Sequence, residues 1–540
     1  MRLNIPDLQP LSATRRIPAV HRQRRDLFGR VLRDAHGRGI VVSRDWRTQQ
    51  GRHGHMRSLT TLEKWSYAIG NMPYAVKDAA FVNFVIFYYT QVQGLSGSLA
   101  GLSAFIALSW DAISDPIVGS WSDTVRTRWG RRHPLILLGG IPFALMFLLI
   151  FSPPQGLGQF SMFLWLTVVA VFLRTFLTIY FIPYSAMGAE LSTDYDERTV
   201  IAKSRVTMSW IAGMALPAIA FTVFFESSDV SDGRLIAENY HAYGVFSALV
   251  AAITIVICVW GTRTMIDRLP QSSSSVSGLS LRRTVDDFKL ALTNRNFRMT
   301  VGTNLAFGMA SGVYVTLALY MGTYFWEFSS DQLAGLVVPM ALGTVLAFSL
   351  VARLGARFDK ATLMAACSLG IMFNAIWFTG LRLLDWLPEN GHPVIYPLQI
   401  LNTVLGVFTI AGLQMLGISL LADILDEQEL NTGLRQEGVF FAASTFVQKA
   451  TSGVGALVAG VVVDMAGIAA GSQPGEVPER TLQLLGWFFV SITGVLAFIA
   501  FVYASRVRLG RQAHAQVRQR LNTQQATTAA AAVSESPPGL

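Results

Sequence analysis

The sequence predicts an all-α integral membrane protein with twelve transmembrane helices arranged as two six-helix bundles. Three observations carry this. Apolar residues make up 52% of the 540-residue chain and charged residues only 14%, against about 25% charged in a typical soluble protein. From Ser66 onward, long apolar runs alternate with short polar loops. One longer polar loop divides those runs into two equal sets.

The runs follow in order. The first, 66–92, contains Pro73 and the charged pair Lys77-Asp78; the second, 97–122, contains Trp110, Asp111, Asp115 and Pro116. Runs 134–153, 160–188, 203–226 and 240–262 complete the first half. Runs 297–325, 331–356, 361–384, 393–424, 435–466 and 480–506 form the second. A bilayer core about 30 Å thick needs about 20 residues of helix. Several runs are longer than that, which predicts tilt or kinks. Internal prolines such as Pro142, Pro183, Pro217 and Pro339 would break soluble helices. In a membrane they are tolerated, because neighbouring helices satisfy the freed backbone groups.

The segments outside the runs define the organisation. Residues 1–61 form a basic tail that reads as a disordered extension. Two alternatives stand beside that reading: contact of its arginine clusters with anionic headgroups, and translation from Met56 in place of Met1. It lacks the apolar core and cleavage site of a secretory signal. The bundles occupy 62–262 and 297–507, and the tail 508–540 also reads as disordered. The linker 263–296 places Leu281, Val285, Phe288 and Leu292 on one helical face, the pattern of an amphipathic surface helix. After the second run the chain reads Gly119-Ser-Trp-Ser-Asp123, and after the eighth Gly355-Ala-Arg-Phe-Asp359. This weak echo between halves is expected of a duplicated transporter.

Charge and motifs exclude other classes. The net charge is +9, and residues 1–57 alone hold 13 Arg and 4 Asp. The remaining chain is therefore neutral, and no nucleic-acid partner is expected. Lys and Arg crowd the loops after runs 2, 4, 6, 8 and 10, whereas the other loops carry only Arg234, Arg382 and Arg480. That asymmetry puts the even loops and both termini in the cytoplasm, with the chain multi-pass in the inner membrane. Every histidine lies in a tail, in a loop or at a helix end, and no phosphate-binding loop or hydrolase motif occurs. The expectation is a carrier, not an enzyme, with no cofactor beyond a coupling ion. Cys258 and Cys367 sit inside apolar runs and read as core residues.

Charges inside the runs locate the site, because each costs about 2.5–3.5 kcal/mol at the bilayer centre unless compensated. Asp111 and Asp115 stand at i and i+4, on one helical face. Two carboxylates so placed are comfortable with a cation between them or a shared proton. Lys77 and Asp78 are adjacent, diverge by about 100° and are expected to face different partners. Arg174, Thr178, Phe181 and Ser185 share a face of the fourth run, and Gln448-Lys449 lie inside the eleventh. Arg205 stands near the end of the fifth run. Three deep acids (Asp78, Asp111, Asp115) against three bases (Lys77, Arg174, Lys449) predict one polar cavity between the halves.

Several stretches carry a resemblance. Tyr67-Ala-Ile-Gly70 with Lys77-Asp78, Phe87-Tyr-Tyr-Thr90 and Gly94-Leu-Ser96 are similar to the first helix of the glycoside–pentoside–hexuronide:cation symporters of the major facilitator superfamily. Trp110-Asp-Ala-Ile-Ser-Asp-Pro116 followed by Thr127-Arg-Trp-Gly130 resembles that family's most specific stretch. Ala422-Asp-Ile-Leu-Asp426, Gly433-x-Arg435-x-Glu437-Gly438 and Phe446-Val-Gln-Lys449 resemble its signature in helices 10 and 11. The resemblance implies two bundles rocking about a central site. It assigns Asp111, Asp115 and Thr178 to the cation, and Asp78 and Arg205 to the sugar. Lys449 falls near the cation site, and Trp110, Arg174 and Phe181 join the substrate positions. The family pattern has a carboxylate where Phe181 stands and a tryptophan at Ser185, and Arg174 adds a positive charge. These departures lower the weight of a Na⁺ site and raise that of H⁺ coupling or uncoupled diffusion. The ending Gly130-Arg-Arg-His-Pro134 resembles the sucrose–proton carriers and points the same way. The expected function is a monomeric cation-coupled (H⁺ or Na⁺) sugar symporter in a lipid bilayer. The alternatives are a carrier of a non-sugar solute, such as a lipid, drug or metabolite, and an uncoupled sugar facilitator.

Overall fold

A computed structural model describes residues 59–192, 194–227, 232–268, 292–433 and 437–534. Among the described residues every regular element is helical. The basic tail, nearly all of the expected linker helix, and Arg435 of the helix 10–11 signature lie outside them.

The first segment, α1, is broken into Thr61–Ile69, Met72–Asn83 and Val85–Phe87, and ends in a π-turn, Tyr88–Val92. Pro73 opens the second piece, and the residue before a proline disfavours the helical region. The remaining elements run α2 Gly97–Thr124, α3 His133–Ile150, α4 Gln159–Glu190, α5 Tyr195–Ile219 with a π-turn Ala220–Phe224, and α6 Ala237–Thr262. The second half has α7 Arg295–Tyr320 with a π-turn Met321–Phe325, then α8 in pieces from Ser330 to Gly355, α9 Lys360–Leu383, α10 Ile395–Thr432, α11 Glu437–Ala466 and α12 Glu479–Ala504. Among the described residues 11 helices are long and apolar enough to span a membrane. The run 66–92 is helical too, but its breaks leave no continuous helix of spanning length. The last element, α13, is Arg511–Ser534.

This last helix corrects the expectation of disorder from residue 508. Its first turns are tied down: the Arg511 N–H donates to Asp359 Oδ1 at 2.8 Å, the Arg511 guanidinium to the Gly355 carbonyl at 2.6 Å, and Leu521 is buried. Alanine and glutamine then continue a helix already nucleated.

The halves repeat each other in detail. The π-turns ending α1 and α7 are followed by equivalent bonds, Leu95 N–H to Tyr89 O and Phe328 N–H to Gly322 O, both 2.8 Å. Ser96 and Ser329 then cap α2 and α8. The two π-turns meet across the halves. Gln91 and Tyr324, the fourth residues of their turns, bond to each other at 3.0 Å with the phenol donating, and Thr90 bonds to Tyr320. The Gly471 N–H donates to the Gln91 carbonyl at 2.8 Å, and Ser330 Oγ to the Phe225 carbonyl at 2.5 Å. All these contacts lie at one end of the bundle, where the odd-numbered loops emerge.

Small residues make the closure possible. A Cβ on Gly97 would fall 2.3 Å from the Gly460 carbonyl, and one on Gly101 2.7 Å from the Ala456 carbonyl. Here α2 and α11 touch backbone to backbone, as small residues allow in membranes. Gly97→Val overpacks this seam at a cost of about 1–3 kcal/mol and is expected to lower the thermal unfolding temperature in detergent. Gly158→Ala, with nothing within 4 Å of its added Cβ, is expected to leave that temperature unchanged.

A charged cavity between the two halves

The cavity is built from α1, α2, α4, α7 and α11, directly beneath the closed seam. Its volume is about 200 Å³. Lys77, Asp78 and Arg174 give it charge, and Ser103, Thr316 and Ser452 give it hydroxyls. The rest of the wall is apolar, from Phe81, Val82, Val85 and Ile86 on α1 to Leu108, Leu166 and Val315 opposite.

Each helix-2 carboxylate has its own basic partner. The Arg174 guanidinium of α4 donates to Asp111 Oδ2 at 2.5 Å, and Arg174 lies 4.9 Å over the Phe81 ring. Both members of this pair are buried. Lys449 of α11 donates to Asp115 Oδ2 at 2.5 Å, and Thr178 donates to Asp115 Oδ1 at 3.0 Å. The i, i+4 repulsion is thus answered by two cations of the chain itself. The first pair lies within one half, whereas the second joins the halves. Buried Asp111 Oδ1 and Arg174 Nε have no hydrogen-bond partner among the described residues. The pair is therefore singly bonded and keeps one free acceptor and one free donor.

Lys77 and Asp78 correct the expectation that adjacent residues face different partners: they form an ion pair with each other. The four-carbon lysine stem reaches around the helix, and its ammonium also lies 4.4 Å over the Tyr74 ring. Lys77 is buried, and Asp78 is 47% exposed at its side chain, so Asp78 is the more accessible acceptor.

Of the expected site residues only Lys77, Asp78 and Arg174 line the cavity; Asp111, Asp115, Thr178 and Lys449 stand outside its lining, joined to it through the Arg174–Asp111 pair, and Trp110, Phe181 and Arg205 are outside it as well. Trp110 turns to the bundle surface, where its indole N–H donates to Thr175 Oγ1 at 2.7 Å. Phe181 packs on Tyr74 with ring centroids 4.5 Å apart. Arg205 approaches the Tyr67 hydroxyl. Conversely, Ser103, Thr316 and Ser452 were not singled out by the sequence. Single hydroxyls in apolar runs are too common to mark a site, and only their convergence does so. Among the described residues no group of three or more His, Cys, Asp or Glu side chains converges as a metal cage would require.

Removing one member of the buried pair strands the other. Arg174→Met is expected to destabilise the protein by about 3–5 kcal/mol, and the double variant Arg174→Met/Asp111→Leu to recover most of that. Unfolding of the purified variants in detergent measures both. Lys449→Met is expected to cost less, because Asp115 and Lys449 are 28% and 29% exposed at their side chains and solvent screens them.

Comparison with known proteins agrees with this architecture. Residues 66–511 match the family described as "MFS/sugar transport protein". The putative glycoside/cation symporter YagG of Escherichia coli K12 is 26% identical, over 84% of this chain and 93% of its own. The sodium-dependent lysophosphatidylcholine symporter 1 of Gallus gallus is 28% identical, over 81% of this chain and 85% of its own. The inward-open structure of the xylose transporter XylE from E. coli superposes with a TM-score of 0.54 at 13% identity, covering 83% of this chain and 96% of that one. That last likeness concerns the fold alone. A charged cavity between two matching halves, with the family covering both of them, makes this chain a multi-pass membrane transporter and not an enzyme: it belongs to the MFS/sugar transport family.

Proposed function

We propose that the protein is a cation-coupled symporter of a sugar or glycoside, working by alternating access. The observation that carries this reading is the Lys449–Asp115 pair, which joins the two halves beside the charged end of the cavity. A proton or Na⁺ arriving at Asp115 competes with Lys449 for the carboxylate. Neutralising or sharing that charge loosens the one ion pair described here between the halves. Occupancy of the cation position thereby biases how the halves sit, and the bias is reciprocal with solute binding. The accessible Asp78 and the hydroxyls of Thr316 and Ser452 suit sugar hydroxyls, and the relative named as a glycoside/cation symporter supports that substrate class. The excess of Lys and Arg in the even loops supports an inner-membrane location with cytoplasmic termini. The bonded seam then seals the outer end, with the cavity facing inward. One chain holds the whole cavity, in keeping with a monomer.

A second reading rests on the apolar wall. Apolar residues, among them Val82, Val85, Ile86, Leu108, Leu166 and Val315, make up most of the cavity lining, and Phe181 takes a position where the sugar carriers of the resemblance have a carboxylate. The same charged end over an aliphatic wall fits an amphiphile, and a relative named as a lysophosphatidylcholine symporter supports that class.

Purified protein in liposomes with an internal pH dye separates the readings. A panel of glycosides and pentosides, and lysophosphatidylcholine as a separate arm, is added with and without Na⁺. Proton-coupled sugar entry acidifies the lumen and disappears in Asp115→Asn; Na⁺-dependent uptake without a pH change assigns the ion as Na⁺. Uptake of lysophosphatidylcholine alone replaces the sugar reading with the second. Coupled sugar uptake that survives unchanged in Asp115→Asn overturns the coupling role of the carboxylate.

A further inference from the structure

The two halves each end in a charge cluster at the even-loop end, and the clusters are built from different parts of the chain. In the first half, Arg132 bonds Glu190 at 2.6 Å, Asp123 at 3.0 Å and Ser122 at 2.5 Å. Arg131 adds a bond to Glu190 at 2.5 Å. The segment between α2 and α3 is thus fastened to the last residue of α4.

The repeat places the second-half counterparts without ambiguity. The same number of residues separates Asp123 from Asp359, Glu190 from Asp426, and Gln159 from Ile395, where α4 and α10 begin. One thing is missing from the second copy. At that spacing residues 360–368 stand opposite 124–132; they already belong to α9, and Cys367 and Ser368 occupy the positions of Arg131 and Arg132. Asp359 and Asp426 therefore lack the arginines that hold Asp123 and Glu190.

α13 supplies them. The Arg511 N–H bonds Asp359 Oδ1 and its guanidinium bonds the Gly355 carbonyl. His514 Nε2 lies 3.1 Å from Asp426 Oδ2, and Arg518 NH1 lies 3.3 Å from the same oxygen. Asp426 is 8% exposed, so a carboxylate withdrawn from water takes its basic partners from α13. Lys360 holds the neighbouring Asp423 at 2.7 Å and does not replace this contact. The family match stops at residue 511, so all of this helix after its first residue, Arg511, lies beyond what that match covers.

We propose that α13 is the clamp of the second half: through Arg511, His514 and Arg518 it binds the α8–α9 junction to the end of α10, the task that Arg131 and Arg132 perform in the first half. The tail is then part of the moving body. Without it, the α8–α9 junction and the end of α10 keep the Lys360–Asp423 bond but lose the contacts of Asp359 and Asp426 with α13.

Hydrogen exchange of the full-length carrier in nanodiscs tests this without reference to any substrate, so its failure is separate from that of the transport reading. Three variants are compared with the parent: a chain ending after Gly510, the full-length His514→Ala/Arg518→Ala, and Arg131→Ala/Arg132→Ala. The truncated chain is expected to speed exchange about ten-fold in 353–360 and 423–432, and the double variant, which keeps Arg511, in 423–432, while 119–132 and 186–192 keep the parent rates. The third is expected to reverse that pattern. Arg518→Lys with His514→Lys, which preserves positive charge, is expected to restore slow exchange. Unchanged exchange at 423–432 in the double variant, or at 353–360 in the truncated chain, overturns the proposal. So does an equal rise in both halves, because a clamp acts locally.

Discussion

Charge in an apolar medium must be paired, and α2 bears the consequence. Asp111 and Asp115 sit one turn apart in a helix surrounded by hydrocarbon, where an isolated carboxylate is very costly. Both are answered by basic side chains at 2.5 Å. The division of partners matters more than the pairing itself. Arg174 fixes α4 to α2 inside one half, so this contact persists whichever way the halves lean. Lys449 comes from the other half, so its contact with Asp115 depends on how they lean. One face of one helix thus holds a permanent ion pair and a conditional one.

The seam beyond the cavity follows a different logic, that of close approach. Backbones touch where Gly97, Gly101, Ala456 and Gly460 leave room, and hydrogen bonds from Gln91, Thr90, Tyr320 and Tyr324 hold the contact in the absence of water. The π-turns present these side chains. A π-turn adds a residue to a helical turn and shifts the side-chain register, and both copies of the repeat use one at the same place. Equivalent residues consequently meet each other across the pseudo-two-fold, as Gln91 and Tyr324 do. Ala456 of the seam also lines the cavity, so the close approach of α2 and α11 continues into the wall of the site.

Much of this was legible in the residues. Composition and run length gave the membrane class, because hydrocarbon admits only helices whose backbone is internally bonded. The i, i+4 carboxylates and the deep basic residues located the polar centre, because uncompensated charge in lipid is too costly to be accidental. The matching Gly-x-x-x-Asp segments announced the duplication. Three features were not legible. The pairing of Lys77 with Asp78 depends on a flexible stem bending along its helix, which angular reasoning from Cβ positions overlooks. The position of Trp110 on the bundle surface depends on which side of α2 meets α11. The helix Arg511–Ser534 lacks an apolar stripe and reads as tail, because its partners Gly355, Asp359 and Asp426 are remote in sequence.

Reading the residues in order is enough to establish that the chain crosses a membrane many times in two related halves, and that acids and bases balance within it. Those properties depend on residue type and spacing, and lipid enforces them on any fold the chain adopts. Which base meets which acid, which hydroxyls join the cavity, which end is sealed, and how a polar tail packs on the second half emerge once the helices are assembled. Those outcomes depend on how helices distant in sequence cross, and a single chain read in order carries no distance between them.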